Sequence, residues 1–309
     1  MAAVDQDRAV RPRTPGAHPL IRSAWIAAIC LLGVAAGIGA FAHAVRPAGV
    51  VAAAAVALLV GGYIAYLARH LSFEREIGRA EGALAAADLE GARAILSPLL
   101  ERYPQLALVQ RAAGRTLYAL GDPLSSASLL ERAARSFRDD PAVAATLVAS
   151  YAALNRGGDA SRAAALAPRH VDVRLALAWG ELVALGGDRA AGATIARELQ
   201  ERSDVRGAAA RAAMAAALGA IAAAQAGDAQ AADAALAEVG RARDGLPAFE
   251  RGFIGYLEGV ALQEIGRTTD ATEAFERAMA AAPGTIGEAL ARRERANLRA
   301  RLAAPATSP

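Results

Sequence analysis

Two hydrophobic patterns divide the chain. Residues 23–45 and 48–68 are near-continuous apolar runs with no Asp, Glu or Arg in either. Each is close to the ~20 residues a helix needs to cross a bilayer core. Only Arg46 and Pro47 separate them. The pattern therefore predicts a transmembrane helical hairpin over 23–68, with Pro47 helping to end its first helix. Residues 1–22 are polar and carry Pro12, Pro15 and Pro19, a composition that predicts disorder. From about Phe73 the apolar positions recur at helical spacing, in stretches broken by short turns.

The turns share one chemistry. Ala87-Asp88, Gly121-Asp122, Gly158-Asp159, Gly187-Asp188, Gly227-Asp228 and Gly266-Arg267 follow one another along the chain. Glycine ends a helix in the left-handed conformation, and Asp caps the next. The spacing is roughly 30–40 residues, the range of helical repeats. Residues 73–284 are thus expected to form about six helix pairs. Residues 285–303 read as one more helix, with Leu290, Leu298 and Leu302 apolar and Arg292, Arg293, Arg295, Arg299 and Arg301 polar. Solenoid ends need a polar cap, and this helix is the expected one, ahead of a contact with anionic lipid or an acidic partner. Residues 304–309 are expected to be a disordered tail.

Basic residues orient the hairpin. Arg8, Arg11, Arg13 and Arg22 precede the first run, and Arg69, Arg75 and Arg79 follow the second, against Arg46 alone between them. The positive-inside rule then puts both termini in the cytoplasm of an inner-membrane protein. Trp25, Tyr63 and Tyr66 would lie near that same interface. Ala42-His43-Ala44 has the small residues of a signal cleavage site, but the apolar run before it is long for one. Cleavage would leave the second span as an anchor and the repeats still cytoplasmic. Gly33 and Gly37 form a small-xxx-small pair, expected to pack against the second helix in preference to driving dimerisation.

Composition narrows the fold class to all-α. The chain is 55% hydrophobic but only 5% aromatic. Such a chain lacks the residues of a pleated sheet core but suits closely approaching, alanine-rich helices. All 34 basic side chains counted with Lys are Arg, and the net charge is +3, too small to indicate a nucleic-acid partner. The lysine-free, Arg- and Ala-rich usage looks like that of a GC-rich bacterial genome. The one cysteine, Cys30, lies in the first apolar run.

The last repeat carries the clearest motif: Gly259, Leu262, Gly266, Ala271, Phe275, Ala278 and Pro283. This resembles the tetratricopeptide repeat signature. The other units follow it more loosely: Ala80, Ala92, Leu96 and Pro104; Gly114, Leu117, Leu130, Ala133 and Pro141; Gly180 and Val183; and Ala232 with a late Pro247. The third departs most, since Pro168 cuts its second helix short. The resemblance covers residues 73–284. It implies a solenoid in which the first helix of each pair lines a concave groove that binds a peptide or protein.

Aligned on their glycines, the units place Arg111, Arg115 and Tyr118 on that groove, with Asn155, Glu181, Tyr256 and Gln263 at matching offsets and Arg156 and Arg174 beside them. Arg and Tyr are effective anchors for peptides. The family's carboxylate clamp for C-terminal peptides uses lysines, which this chain lacks, so chaperone binding is not expected.

A search for reactive chemistry returns little. His18, His43, His70 and His170 form no pair at metal-ligand spacing. A phosphate loop with its lysine and a Gly-x-Ser-x-Gly elbow are both missing. The expectation is a membrane-anchored protein–protein interaction scaffold, with no cofactor, no metal, and the lipid bilayer contacting residues 23–68. Tethering would raise its local concentration at membrane partners. The competing expectations are a cell-envelope or cytochrome- and haem-related assembly factor, which similarly joins membrane helices to such repeats, and an enzyme with an unrecognised site.

Overall fold

A computed structural model describes residues 33, 37, 39, 46–184 and 187–303. The side chains of 46–54, 56, 57, 65–72, 203 and 206 lie outside that description. Among the described residues there are fourteen helices and no strands. The chain divides into two compact units, 1–76 and 77–309.

The first expected span, 23–45, lies outside the described residues except at three glycines. Gly33 and Gly37 are exposed, and a Cβ added at either would meet nothing within 4 Å. The expected packing of a second helix against them is therefore not seen among the described residues. Helix α1 covers Arg46–Ala85, 40 residues without interruption, a rod of ~60 Å. Sequence reading placed a boundary between 68 and 73. The helix does not break there, because the switch at Arg69-His70 changes polarity without supplying a Gly or Pro, and the compact units divide a few residues later, between 76 and 77. Pro47 sits in the first turn, where its missing N–H breaks no bond. Among the described residues no helix is long and apolar enough to cross a membrane.

The second unit is a stack of helix hairpins. After α2 (Leu89–Arg102) come the pairs α3 (Ala107–Ala119) with α4 (Pro123–Ala134), α5 (Pro141–Ala153) with α6 (Gly157–Ala164), and α7 (Val171–Val183) with α8 (Arg189–Glu201). A four-residue helix α9 (Ser203–Arg206) leads to α10 (Ala209–Gln225) with α11 (Ala229–Arg243), α12 (Ala248–Glu264) with α13 (Thr268–Ala281), and the last helix α14 (Ile286–Ala303). Each pair packs within itself, and the first helices α3, α5, α7, α10 and α12 pack on one another in turn. This is a helical-repeat architecture, in which each unit buries its apolar stripe on its neighbours.

Asp residues start the helices. Asp88, Asp122, Asp188 and Asp228 each accept a hydrogen bond from the backbone N–H three residues on, at 2.9–3.0 Å. Gly121 and Gly227 take left-handed φ values of +78° and +79° before two of those starts, and Gly266 does so at +82° before Arg267. The third turn differs from expectation. There Asn155 takes the left-handed conformation (φ +57°), and α6 begins at Gly157, so Gly158-Asp159 lies inside its first turn.

Small residues let the pairs close. In the last pair a Cβ at Gly259 would overlap the ring of Phe275, and one at Gly255 would lie 3.1 Å from Ala278 Cβ. Phe275 fills the gap at 0% exposure. The same arrangement recurs in α3–α4, where a Cβ at Gly114 would lie 2.7 Å from Leu130 Cγ. Between α4 and α5, Ser126 and Ser150 hydrogen bond at 3.0 Å in the core.

Helix α14 does more than cap the end. It packs on α12 and α13 and buries Ile286, Leu290, Ala291 and Leu298. At its start Gly287 lies against the backbone of Gly252 and Phe253. It also returns to the early repeats. Arg293 Nη1 donates to the Ala153 carbonyl at 2.8 Å across 140 residues of sequence, and a Cβ at Gly121 would lie 3.4 Å from Ala289 Cβ. The expected arginine-rich face is largely spoken for. Arg292 pairs with Glu288, and Arg295 and Arg299 both reach Glu276.

Candidate functional site

The first helices converge on an apolar cavity of ≈ 280 Å³. Its walls come from α3 (Tyr118), α5 (Ala145, Thr146, Ala149), α7 (Asp172, Leu175, Ala176, Trp179), α10 (Ala210, Arg211, Met214) and α12 (Phe249, Glu250, Phe253, Ile254), with Ile286 of α14. Alanines on α5 and α7 leave the space that larger side chains would fill. Trp179 and Phe253 of the wall belong to an aromatic cluster that continues into the core. Trp179 meets Phe253 edge-on at 5.2 Å and Tyr256 at 6.4 Å, and Tyr256 lies 6.5 Å from Phe275. Edge-to-face contacts of this kind add to the burial of each ring.

Polar groups at the cavity are few. Arg211 donates twice to Asp172, at 2.7 and 2.8 Å, in a two-pronged pair. That pair holds the guanidinium charged, raising its pKa further. Glu250 Oε2 and Trp179 Nε1 are buried without hydrogen-bond partners among the described residues. Tyr118 has its pKa raised, first by burial and then by Tyr256 nearby. Among the described residues no group of three His, Cys, Asp or Glu could hold a metal ion. His170 instead caps α7, its Nδ1 accepting from Asp172 N–H at 3.3 Å. A second space, of ≈ 480 Å³, lies between α10 and α11, lined mostly by alanines with Gln200 and Glu238.

The nine sequence-selected residues scatter across this unit. Tyr118 alone reaches the cavity wall. Arg111 is held by Glu81 and by Asp140 at 3.0 Å, and lies over the Phe137 ring at 5.1 Å, so it ties α1, α3 and the start of α5 together. Arg115 is half-buried on α3. Asn155 occupies the left-handed turn after α5. Arg156 precedes α6, pairs with Asp159 at 2.6 Å and lies over Tyr151 at 4.8 Å. Arg174 pairs with Glu198 of α8. Glu181 accepts from Ser161 Oγ at 3.0 Å and from Asp188 N–H at 2.6 Å, bracing the turn before α8. Tyr256 lies in the core at 0% exposure, and Gln263 Oε1 is buried without a partner among the described residues. Arg111 and Glu181 link one helix pair to the next, while Arg156 and Arg174 make ion pairs within their own.

Sequence reading passed over Trp179, Arg211, Met214, Phe249, Glu250 and Phe253. One signal was present. In a chain this poor in aromatics, three of them, Phe249, Phe253 and Tyr256, fall on one helix at one-turn spacings. No family model matches the chain, and no curated protein matches it.

Proposed function

We propose that this protein is a membrane-anchored adaptor of the tetratricopeptide type that binds a protein partner on the inner face of its helical repeats. The observation that carries this reading is the cavity itself, built from one helix of each of five successive pairs. Binding sites prefer such apolar concavities with a few convergent polar groups. The tetratricopeptide assignment draws support from the repeated close approach of Gly114 to Leu130 and of Gly259 to Phe275. The membrane assignment rests on the apolar runs 23–45 and 48–68 and their arginine flanks. It gains support from Leu58 and Leu59, which are 78% and 71% exposed. Lipid removes from water what the protein does not cover.

Photo-crosslinking in native membranes tests the binding face. A photoreactive residue at Met214 on the cavity wall is expected to yield adducts that one at exposed Ser128 of α4 does not. Identical adducts from both positions would contradict the reading. A phosphatase fused after residue 303 is expected to stay inactive, as a cytoplasmic C-terminus requires; activity there would overturn the topology.

A further inference from the structure

The chemistry of the cavity narrows what enters it, an inference that rests on the inner face being the binding surface. Most of the wall is apolar, with Trp179, Phe253, Leu175 and Met214 contributing the large side chains. At ≈ 280 Å³ it falls at the small end of ligand cavities, which run from about 300 Å³ upward. That is room for one large side chain and not for a bulky cofactor.

One carboxylate on this wall has an oxygen without a partner among the described residues. Glu250 is the third residue of α12. A Glu at that position ordinarily reaches back to the N–H of the N-cap residue. Here the N-cap is Pro247, which has no N–H to give. Glu250 Oε2 is buried with no hydrogen-bond partner among the described residues. The other charges on the wall, Asp172 and Arg211, neutralise each other through their two bonds. An apolar hole therefore sits beside a half-buried carboxylate with one unpartnered oxygen. A buried acceptor without a donor is unfavourable, and a ligand that brings a cationic donor removes that penalty on binding.

We propose that the cavity receives one apolar side chain of a partner peptide, of the size of leucine, methionine or phenylalanine, whose neighbouring residue offers a guanidinium or ammonium group to Glu250. The apolar side chain supplies affinity by leaving water. The cation supplies selectivity, because only a donor at that edge satisfies the carboxylate.

The test uses the full chain in phosphatidylcholine nanodiscs and fluorescein-labelled, alanine-based peptides with a central Phe-Arg, Phe-citrulline, Phe-Glu or Ser-Arg. Anisotropy titration is expected to rank Phe-Arg tightest, with Phe-Glu and Ser-Arg at least about tenfold weaker. Glu250→Gln is expected to erase the difference between Phe-Arg and Phe-citrulline. Met214→Trp, which fills the hole, is expected to weaken both by at least about tenfold. If the Trp variant does not fold, the near-isosteric Gln variant decides. An unchanged Arg preference in Glu250→Gln would overturn the proposal. So would Phe-Arg binding unaffected by Met214→Trp, though that result would leave a peptide-binding face intact and mean only that the cavity is not the pocket. No binding by any peptide would also end the cavity assignment, while the Met214 and Ser128 crosslinks would still decide the adaptor reading. Octylammonium binding in the absence of peptide binding would identify a small cationic amphiphile as the occupant and reject the peptide.

Discussion

At Gly287 the backbone of α14 meets that of α12, and a Cβ there would lie 2.7 Å from Gly252 C and Phe253 N. Backbone cannot swing aside as a side chain can. At Gly114 the obstacle is the Leu130 side chain, at 2.7 Å, whose end has rotamers to use. Gly287→Ala should therefore destabilise the fold more than Gly114→Ala, with overpacking of this kind costing about 1–3 kcal/mol. Thermal melts followed by circular dichroism would check the order. Three tyrosines give a second prediction. Burial leads the raising of the pKa values of Tyr118, Tyr151 and Tyr256, with Tyr151 also bonded to Glu131 at 2.5 Å. In the unfolded chain they would ionise near the ordinary value of about 10. The folded state keeps them neutral beyond that, so their stabilising effect is complete below pH ~10 and is lost as pH rises through and above it. Base titration should show these phenols ionising together with loss of helical signal; independent ionisation in a chain that stays helical would count against their burial. At this scale the sequence was a partial guide. It placed Arg111, Arg174 and Tyr256 on the right helices, but turn-by-turn facing depends on neighbours that no local pattern specifies. An Arg beside a neighbouring repeat's carboxylate becomes a tie between repeats, as at Arg111 and Asp140.

Among the elements, aspartate sets where helices begin. Asp122 and Asp228 each satisfy one N–H at a helix start, and replacing either with Ala should cost about 1 kcal/mol. Asp140 has two tasks. It caps α5, accepting from Ala142 N–H at 2.9 Å, and it pairs with Arg111. Asp140→Asn keeps a capping oxygen and loses the charge pair, whereas Asp140→Ala loses both. The Ala variant should therefore melt at the lower temperature, and equal melts would show that the Arg111 pair carries the whole effect. These starts were legible because their chemistry is local. Near residue 70 the helix does not break, since α1 runs from Arg46 to Ala85, while the two compact units divide just beyond, between 76 and 77. Polarity changed at residue 70, and helix propensity did not. The third turn misled for a similar reason. Asn155 can take the left-handed conformation that a glycine scan assigns to Gly158.

Across the second unit, repeated hairpins could be read from periodicity, but the return of α14 could not. Its sequence says only that one face is apolar and the other basic. Which surface receives that face is decided by how earlier pairs turn, a long-range outcome. The cavity depends on this return, since Ile286 completes a wall begun by Ala145 and Ala149 of α5. The binding reading therefore stands on α14 lying against the early repeats. Double electron–electron resonance measures this directly, with spin labels at Arg156 and Ala296, three residues beyond Ala153 and Arg293, in a chain whose Cys30 is replaced by Ser. The structure predicts a single narrow peak at short distance. A broad distribution at long distance, as in an open array whose last helix never comes back, would contradict it.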